Sequence, residues 1–165
     1  ILDTAPFHWP GDVGDIAALD RMTVRAFMGG TGTDAQAMAN IGAFIDTIRA
    51  APAPNALSTA LTEAQARGQA IFNSPEVGCN NCHFGSHRTD NRSHDVGTKA
   101  TPADISLFQT PVLHGVARSA PYLHDGSAGS LLELVLETVA TDRMGHGSHL
   151  SNQELLDLAS FLETL

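Results

Sequence analysis

The sequence predicts a mostly α-helical protein. Two Ser/Thr-x-x-Glu/Gln capping boxes each open an apolar stretch of helical period, and no segment sustains the alternation of a strand. Glycine and proline clusters separate the candidate helices.

Residues 1–55 read as a helical N-terminal extension. It opens on Pro6-Phe7-His8-Trp9-Pro10-Gly11, after which Ile16, Leu19, Met22 and Phe27 follow a helical pattern. Gly29, Gly30 and Gly32 break that helix, and Asp34 is placed to cap a second one with Met38, Ile41, Ile45 and Ile48 on one face. Met22, Met28 and Met38 are expected in the core. Ala51-Pro52-Ala53-Pro54-Asn55 reads as a linker, because neither proline fits a helix interior. Residues 56–165 read as the second unit. Thr62 with Gln65 opens a helix that runs to Phe72 with Gly68 on its surface, and residues 84–104 are polar loop. A short apolar helix runs from Ser130 to about Val139. Ser151 with Glu154, stapled by Leu150, opens a last helix carrying Leu155, Leu158, Phe161 and Leu162. No internal repeat is visible at the level of the sequence.

Of the 165 residues 42% are hydrophobic and 16% charged, a globular composition, and no apolar run is long enough to span a bilayer. The net charge of −9 disfavours nucleic acid and anionic membrane surfaces and suits a basic protein partner. The chain starts at Ile1 without a basic, apolar leader, so a processed form or a piece of something longer is expected.

The chemistry lies in the two cysteines. Cys79-Asn80-Asn81-Cys82-His83 is a C-x-x-C-H sequence, the attachment signature of c-type haem. Two intervening residues let the thiols reach the two vinyl groups on one porphyrin edge, and the next side chain, His83, can then bind the iron. One covalent haem c follows. A redox dithiol would want a βαβ context, which is missing; a zinc site would recruit His87 and His94. Met144, in the glycine-flexed loop between the last two helices, is the candidate for the opposite axial position, with His146 and His149 as rivals. His87, Asp90, His94 and Asp95 form a polar loop with metal-ligand chemistry. Arg118 and Lys99 are cations that could pair with haem carboxylates. Thioether attachment places the chain in the bacterial periplasm or outside the cell.

Thr110-Pro111-Val112-Leu113-His114-Gly115-Val116, Ala120-Pro121-Tyr122-Leu123-His124-Asp125-Gly126-Ser127 and the ending from Arg143-Met144-Gly145 resemble bacterial di-haem cytochrome c peroxidases and their tryptophylquinone-forming relatives. The similarity covers about residues 60–165 and is to the C-terminal, high-potential haem domain, with a cytochrome c-like fold. There a Met before Gly is the distal ligand, which implies Met144. Phe7-His8-Trp9-Pro10-Gly11-Asp12 resembles, more loosely, the stretch after the family's first haem. The resemblance implies Trp9 as an electron relay and His124 as a second-sphere residue beside the haem. It also implies calcium held by loop oxygens near Ser119 and Pro121. The family carries two C-x-x-C-H motifs and this chain one; where peroxidases often place Glu before Met-Gly, Phe27 stands. The expectation is therefore a mono-haem electron-transfer domain, a redox protein or a second haem-bearing domain as its partner, and a peroxidase-like enzyme as the alternative.

Overall fold

The structure, a computed structural model, describes residues 4–48, 60–98 and 106–165. In chain order it has α1 (Ile16–Leu19), continued by wider π-helical turns over Asp20–Phe27, then α2 (Ala35–Thr47) and α3 (Glu63–Phe72). The two-residue strands β1 (Ser93–His94) and β2 (Phe108–Gln109) pair antiparallel. α4 (Leu131–Leu134), extended by π-helical turns over Val135–Val139, and α5 (Asn152–Leu162) complete it. Helices dominate, in a cytochrome c-like arrangement. The linker expected at residues 51–55 lies outside the described residues.

The crossing of α3 and α5 is the centre of the fold. Both predicted capping boxes are formed: Thr62 exchanges hydrogen bonds with Gln65, and Ser151 with Glu154. Gly68 is not on the surface but buried in this crossing, where a Cβ would fall 1.9 Å from the Asp157 carbonyl oxygen. That absence of a side chain lets the backbones approach. Phe72 and Phe161 meet there with ring centroids 5.4 Å apart, a tilted pair that contributes about 0.5–1.5 kcal/mol beyond its buried area. Arg67 closes the rim with a two-pronged bond to Asp157, at 2.6 and 3.2 Å. Leu131, Val135 and Val139 complete the buried core from the α4 side.

The N-terminal segment repeats the C-terminal one. Phe7 bridges Val13 as Tyr122 bridges Ala128, with N–O distances of 2.7 and 3.4 Å in both pairs. His8 and Leu123 both take positive φ, 69° and 67°, and Gly11 and Gly126 follow at 70° and 71°. Asp15 caps α1 as Ser130 caps α4; each short helix then widens into π-helical turns. A Met-Gly pair comes next, Met28-Gly29 and Met144-Gly145, and then a capped helix, α2 and α5. The repeat corrects the reading that the chain has none.

The two copies differ in what covers them. Counted from their N-caps, Ile41, Gly42 and Phe44 of α2 stand where Leu158, Ala159 and Phe161 stand in α5. The α5 residues are buried on α3, whereas Ile41 is 45% and Phe44 66% exposed. Met28 is 74% exposed and Phe27 71%, so neither joins a core; of the three methionines expected there, Met38 is buried.

Candidate functional site

A cavity of about 480 Å³ opens beside the α3–α5 crossing. Its apolar wall includes Phe72, Leu113, Leu131, Leu158 and Leu162. Cys79, Cys82, His83 and Met144 all line it, as do Trp9 and His124. The six sequence candidates, spread from residue 9 to residue 144, therefore converge on one chamber.

Each is placed by identifiable local structure. α3 ends at Asn73, and a turn through Gly78, at φ 81°, delivers Cys79 into a single 3₁₀ turn, Cys79–Asn81. His83 N donates to the Cys79 carbonyl at 2.9 Å, so motif and ligand share one coil of backbone. The Met144 loop is tied at both ends. Arg143 N and Met144 N both donate to the Thr138 carbonyl, and His146 N donates to the Val77 carbonyl at 2.9 Å. Rival ligands His146 and His149 are exposed and do not line the cavity.

His83 is held in one tautomer. Its Nδ1 lies 3.1 Å from the Arg88 carbonyl oxygen, which can only accept, so Nδ1 carries the proton and Nε2 keeps its lone pair. Burial pushes the imidazole pKa down, which keeps the ring neutral and able to bind a metal. The thiols behave oppositely. Burial raises Cys79 to about 11, and burial together with the Asp90 carboxylate raises Cys82. A catalytic dithiol needs a depressed pKa, so these thiols do not suit disulfide exchange.

The polar loop is only partly assembled. Cys82 Sγ, Asp90 Oδ2 and His94 Nε2 form a trio, with the His94 ring nitrogen 2.8 Å from Asp90 and 3.7 Å from Cys82. Burial alone would raise the Asp90 carboxyl, but hydrogen bonds from Arg92 N and His94 hold it below its usual range. His87 is not in the trio; its ring meets His114 edge-on at 6.2 Å. A zinc site using both His87 and His94 is therefore not built. Arg118 does not line the cavity, and Lys99 lies outside the described residues. Arg143 does line it, a cation that sequence reading passed over beside its methionine neighbour.

His124 supplies a sharper test of what the cavity accepts. Its ring stacks on Phe108 at 4.3 Å, and its Nδ1 is buried without a hydrogen-bond partner among the described residues. A buried orphan of this kind is costly unless a ligand group meets it. The chamber thus combines apolar walls, an unmet polar atom, two thiols on one side and thioether and imidazole donors. That set fits an amphiphilic iron porphyrin.

Fold and cavity together define a haem protein of the cytochrome c-like class. Comparison with known proteins narrows the class. Hydrazine synthase subunit gamma of Kuenenia stuttgartiensis is 34% identical over 147 residues, covering 64% of this chain and 42% of that protein. The methylamine utilization protein MauG of Methylorubrum extorquens is 34% identical over 120 residues, covering 60% and 33%. The cytochrome-c peroxidase IdrP1 of a Pseudomonas species is 28% identical over 164 residues, covering 67% and 42%. Among solved structures, Kuenenia stuttgartiensis hydrazine synthase superposes with a TM-score of 0.80 at 29% identity, over 98% of this chain and 68% of that one. A MauG-like protein associated with microbial copper homeostasis shares the fold, with a TM-score of 0.65 at 22% identity. No family model matches the chain. What the chain is similar to, in these relatives and solved structures, are haem proteins of the di-haem cytochrome c peroxidase family. The chain spans 33–42% of the length of these curated relatives. Among the described residues no helix is long and apolar enough to cross a membrane.

Proposed function

We propose that residues 56–165 form a c-type cytochrome domain that transfers single electrons through one covalent haem. Cys79 and Cys82 would anchor the group, and His83 and Met144 would bind its iron. The observation that carries the reading is the convergence of these four side chains on one apolar chamber, with His83 already oriented by the Arg88 carbonyl. When bound, the haem supplies a one-electron iron couple whose potential a His/Met pair holds high. The protein's own part is to exclude water with Phe72, Leu113 and Leu158 and to keep His83 neutral. His124 Nδ1, buried and unpartnered among the described residues, would be available to a polar group of the bound haem. Trp9, half-exposed in the cavity wall, would serve as a relay between the haem and a partner surface. The acidic surface suits a basic redox protein, and thioether attachment implies maturation in the periplasm or beyond.

The internal repeat favours a second, larger reading alongside the first. Residues 1–55 are proposed as the distal half of another haem module, since residues 5–45 reproduce residues 120–162 while Ile41 and Phe44 of α2 stay exposed where Leu158 and Phe161 of α5 pack on α3. The domain would then be the electron-accepting part of a peroxidase-like oxidoreductase, as the name of the cytochrome-c peroxidase IdrP1 suggests. Spectra of the ferric and dithionite-reduced chain test both. A low-spin c-type spectrum with the weak long-wavelength band of Met sulfur on ferric iron, lost in Met144→Ala, supports the carrier. A high-spin ferric spectrum without that band, together with hydrogen peroxide turnover, would replace the carrier by a peroxidase site.

A further inference from the structure

Arg88 acts at both of its ends. Its backbone carbonyl oxygen receives the Nδ1 proton of His83 at 3.1 Å. Its guanidinium lies over two aromatic rings, 5.4 Å from the centroid of Phe72 and 5.9 Å from that of Phe161. Those rings are the buried pair at the α3–α5 crossing, and Phe72 is also a wall of the cavity. We propose that Arg88 is a positioning residue that ties the orientation of the axial imidazole to the packing of this crossing. The proposal rests on the reading of His83 as the iron ligand.

The loop between ligand and anchor is tied by two backbone bonds, Arg88 N to the Gly85 carbonyl at 3.3 Å and Thr89 N to the Phe84 carbonyl at 3.0 Å, and its side chains add little further burial. Phe84, Gly85, Ser86 and His87 are all exposed. The His114 ring reaches the Ser86 carbonyl, and Thr89 Oγ1 donates to the Thr110 carbonyl at 2.6 Å. Neither contact touches the carbonyl that His83 uses. Arg88 itself sits at φ 51°, a left-handed conformation that a non-glycine residue adopts at a cost. The contact of the cation with two aromatic rings offsets that cost and adds a side-chain anchor to the backbone bonds that set the direction of the carbonyl. The hydrogen bond to the second ring nitrogen of a ligating histidine sets both ring angle and basicity.

The test uses the haem-loaded full chain. Exchange of the His83 Nδ1 proton is followed by NMR in the reduced state, and the ferric g-values by electron paramagnetic resonance. Arg88→Met removes the charge and the plane while keeping the stem. It should speed Nδ1 exchange by an order of magnitude or more and shift the g-values. Arg88→Lys, which keeps a cation, should fall between. Arg88→Gly relaxes the positive φ and should fold at least as readily, yet it should show the same faster exchange. If Arg88→Met and Arg88→Gly lower only the melting temperature and leave exchange and g-values as in the parent chain, the residue is merely structural and the proposal fails. Failure of the underlying reading is seen separately: the unsubstituted chain would then lack a c-type spectrum or a protected ring proton.

Discussion

His146 N donates to the carbonyl oxygen of Val77 at 2.9 Å, joining the loop that carries Met144 to the strand of chain entering Cys79. The contact depends on Gly145 between them. This glycine has φ 85°, and a Cβ on it would lie 2.6 Å from the same Val77 oxygen. Gly145→Ala should therefore both strain the backbone and push the two segments apart. Positive φ costs about 1–2 kcal/mol and overpacking about 1–3, so a loss of about 2–5 kcal/mol is expected in guanidinium denaturation. The same variant should weaken the Met-sulfur band; an unaltered band would separate the loop closure from ligation.

Gly68→Ala sets two effects against each other. Alanine in a helix interior gains about 1 kcal/mol over glycine. Against that, its Cβ would fall 1.9 Å from the Asp157 carbonyl and 2.8 Å from Phe161 Cβ, both held by the helix crossing. Packing should win, with a net loss of about 2 kcal/mol or more. A more stable variant would mean that the crossing can open at little cost.

Asp157 gives the protein an acid limb. Its carboxyl is held below the usual aspartate value of 3.8, chiefly by its hydrogen bond to Arg67 and then by Gln153. A depressed carboxylate contributes stability that is present above its unfolded value and lost as pH falls through its folded one. Asp157→Asn should therefore be less stable than the parent at pH 6, and the gap should begin to narrow near about pH 4 and close as pH falls through the lower folded value. Urea midpoints across pH 6 to 3 provide the check. A constant gap would assign the effect to shape and not to charge.

The four methionines should separate cleanly. Met28 has the same Met-Gly context as Met144 but is 74% exposed and remote from the cavity lining. Met28→Ala should leave the haem spectrum unchanged and alter stability by no more than about 0.5 kcal/mol. A spectral change in this variant would overturn the assignment of the axial position to Met144.

Much of this arrangement was legible because short-range chemistry wrote it. The capping boxes at Thr62 and Ser151 need only residues three apart, and the C-x-x-C-H run needs only five in a row. Gly68 was misplaced because a glycine within a helix carries no mark of what will cross it. Likewise β1 and β2, two residues each, are too short to show alternation. The repeat leaves little trace in the sequence, since it survives mainly in backbone shape. Ala-Pro, two glycines and a leucine coincide between the stretches starting at Ala5 and Ala120, while Trp9 stands opposite His124. Arg88 could not be singled out either, because its partners Phe72 and Phe161 lie on two different helices far apart in sequence.

Trp9 is the single tryptophan of the chain, and it stands in the wall of the cavity. Its ultraviolet emission is therefore an internal gauge of occupancy that needs no label. A porphyrin in the chamber would absorb that energy at short range and leave the protein dark, whereas an empty or half-loaded preparation would glow. Maturation of the chain could be followed in real time from this one indole, and incomplete loading would be seen before any redox measurement was attempted.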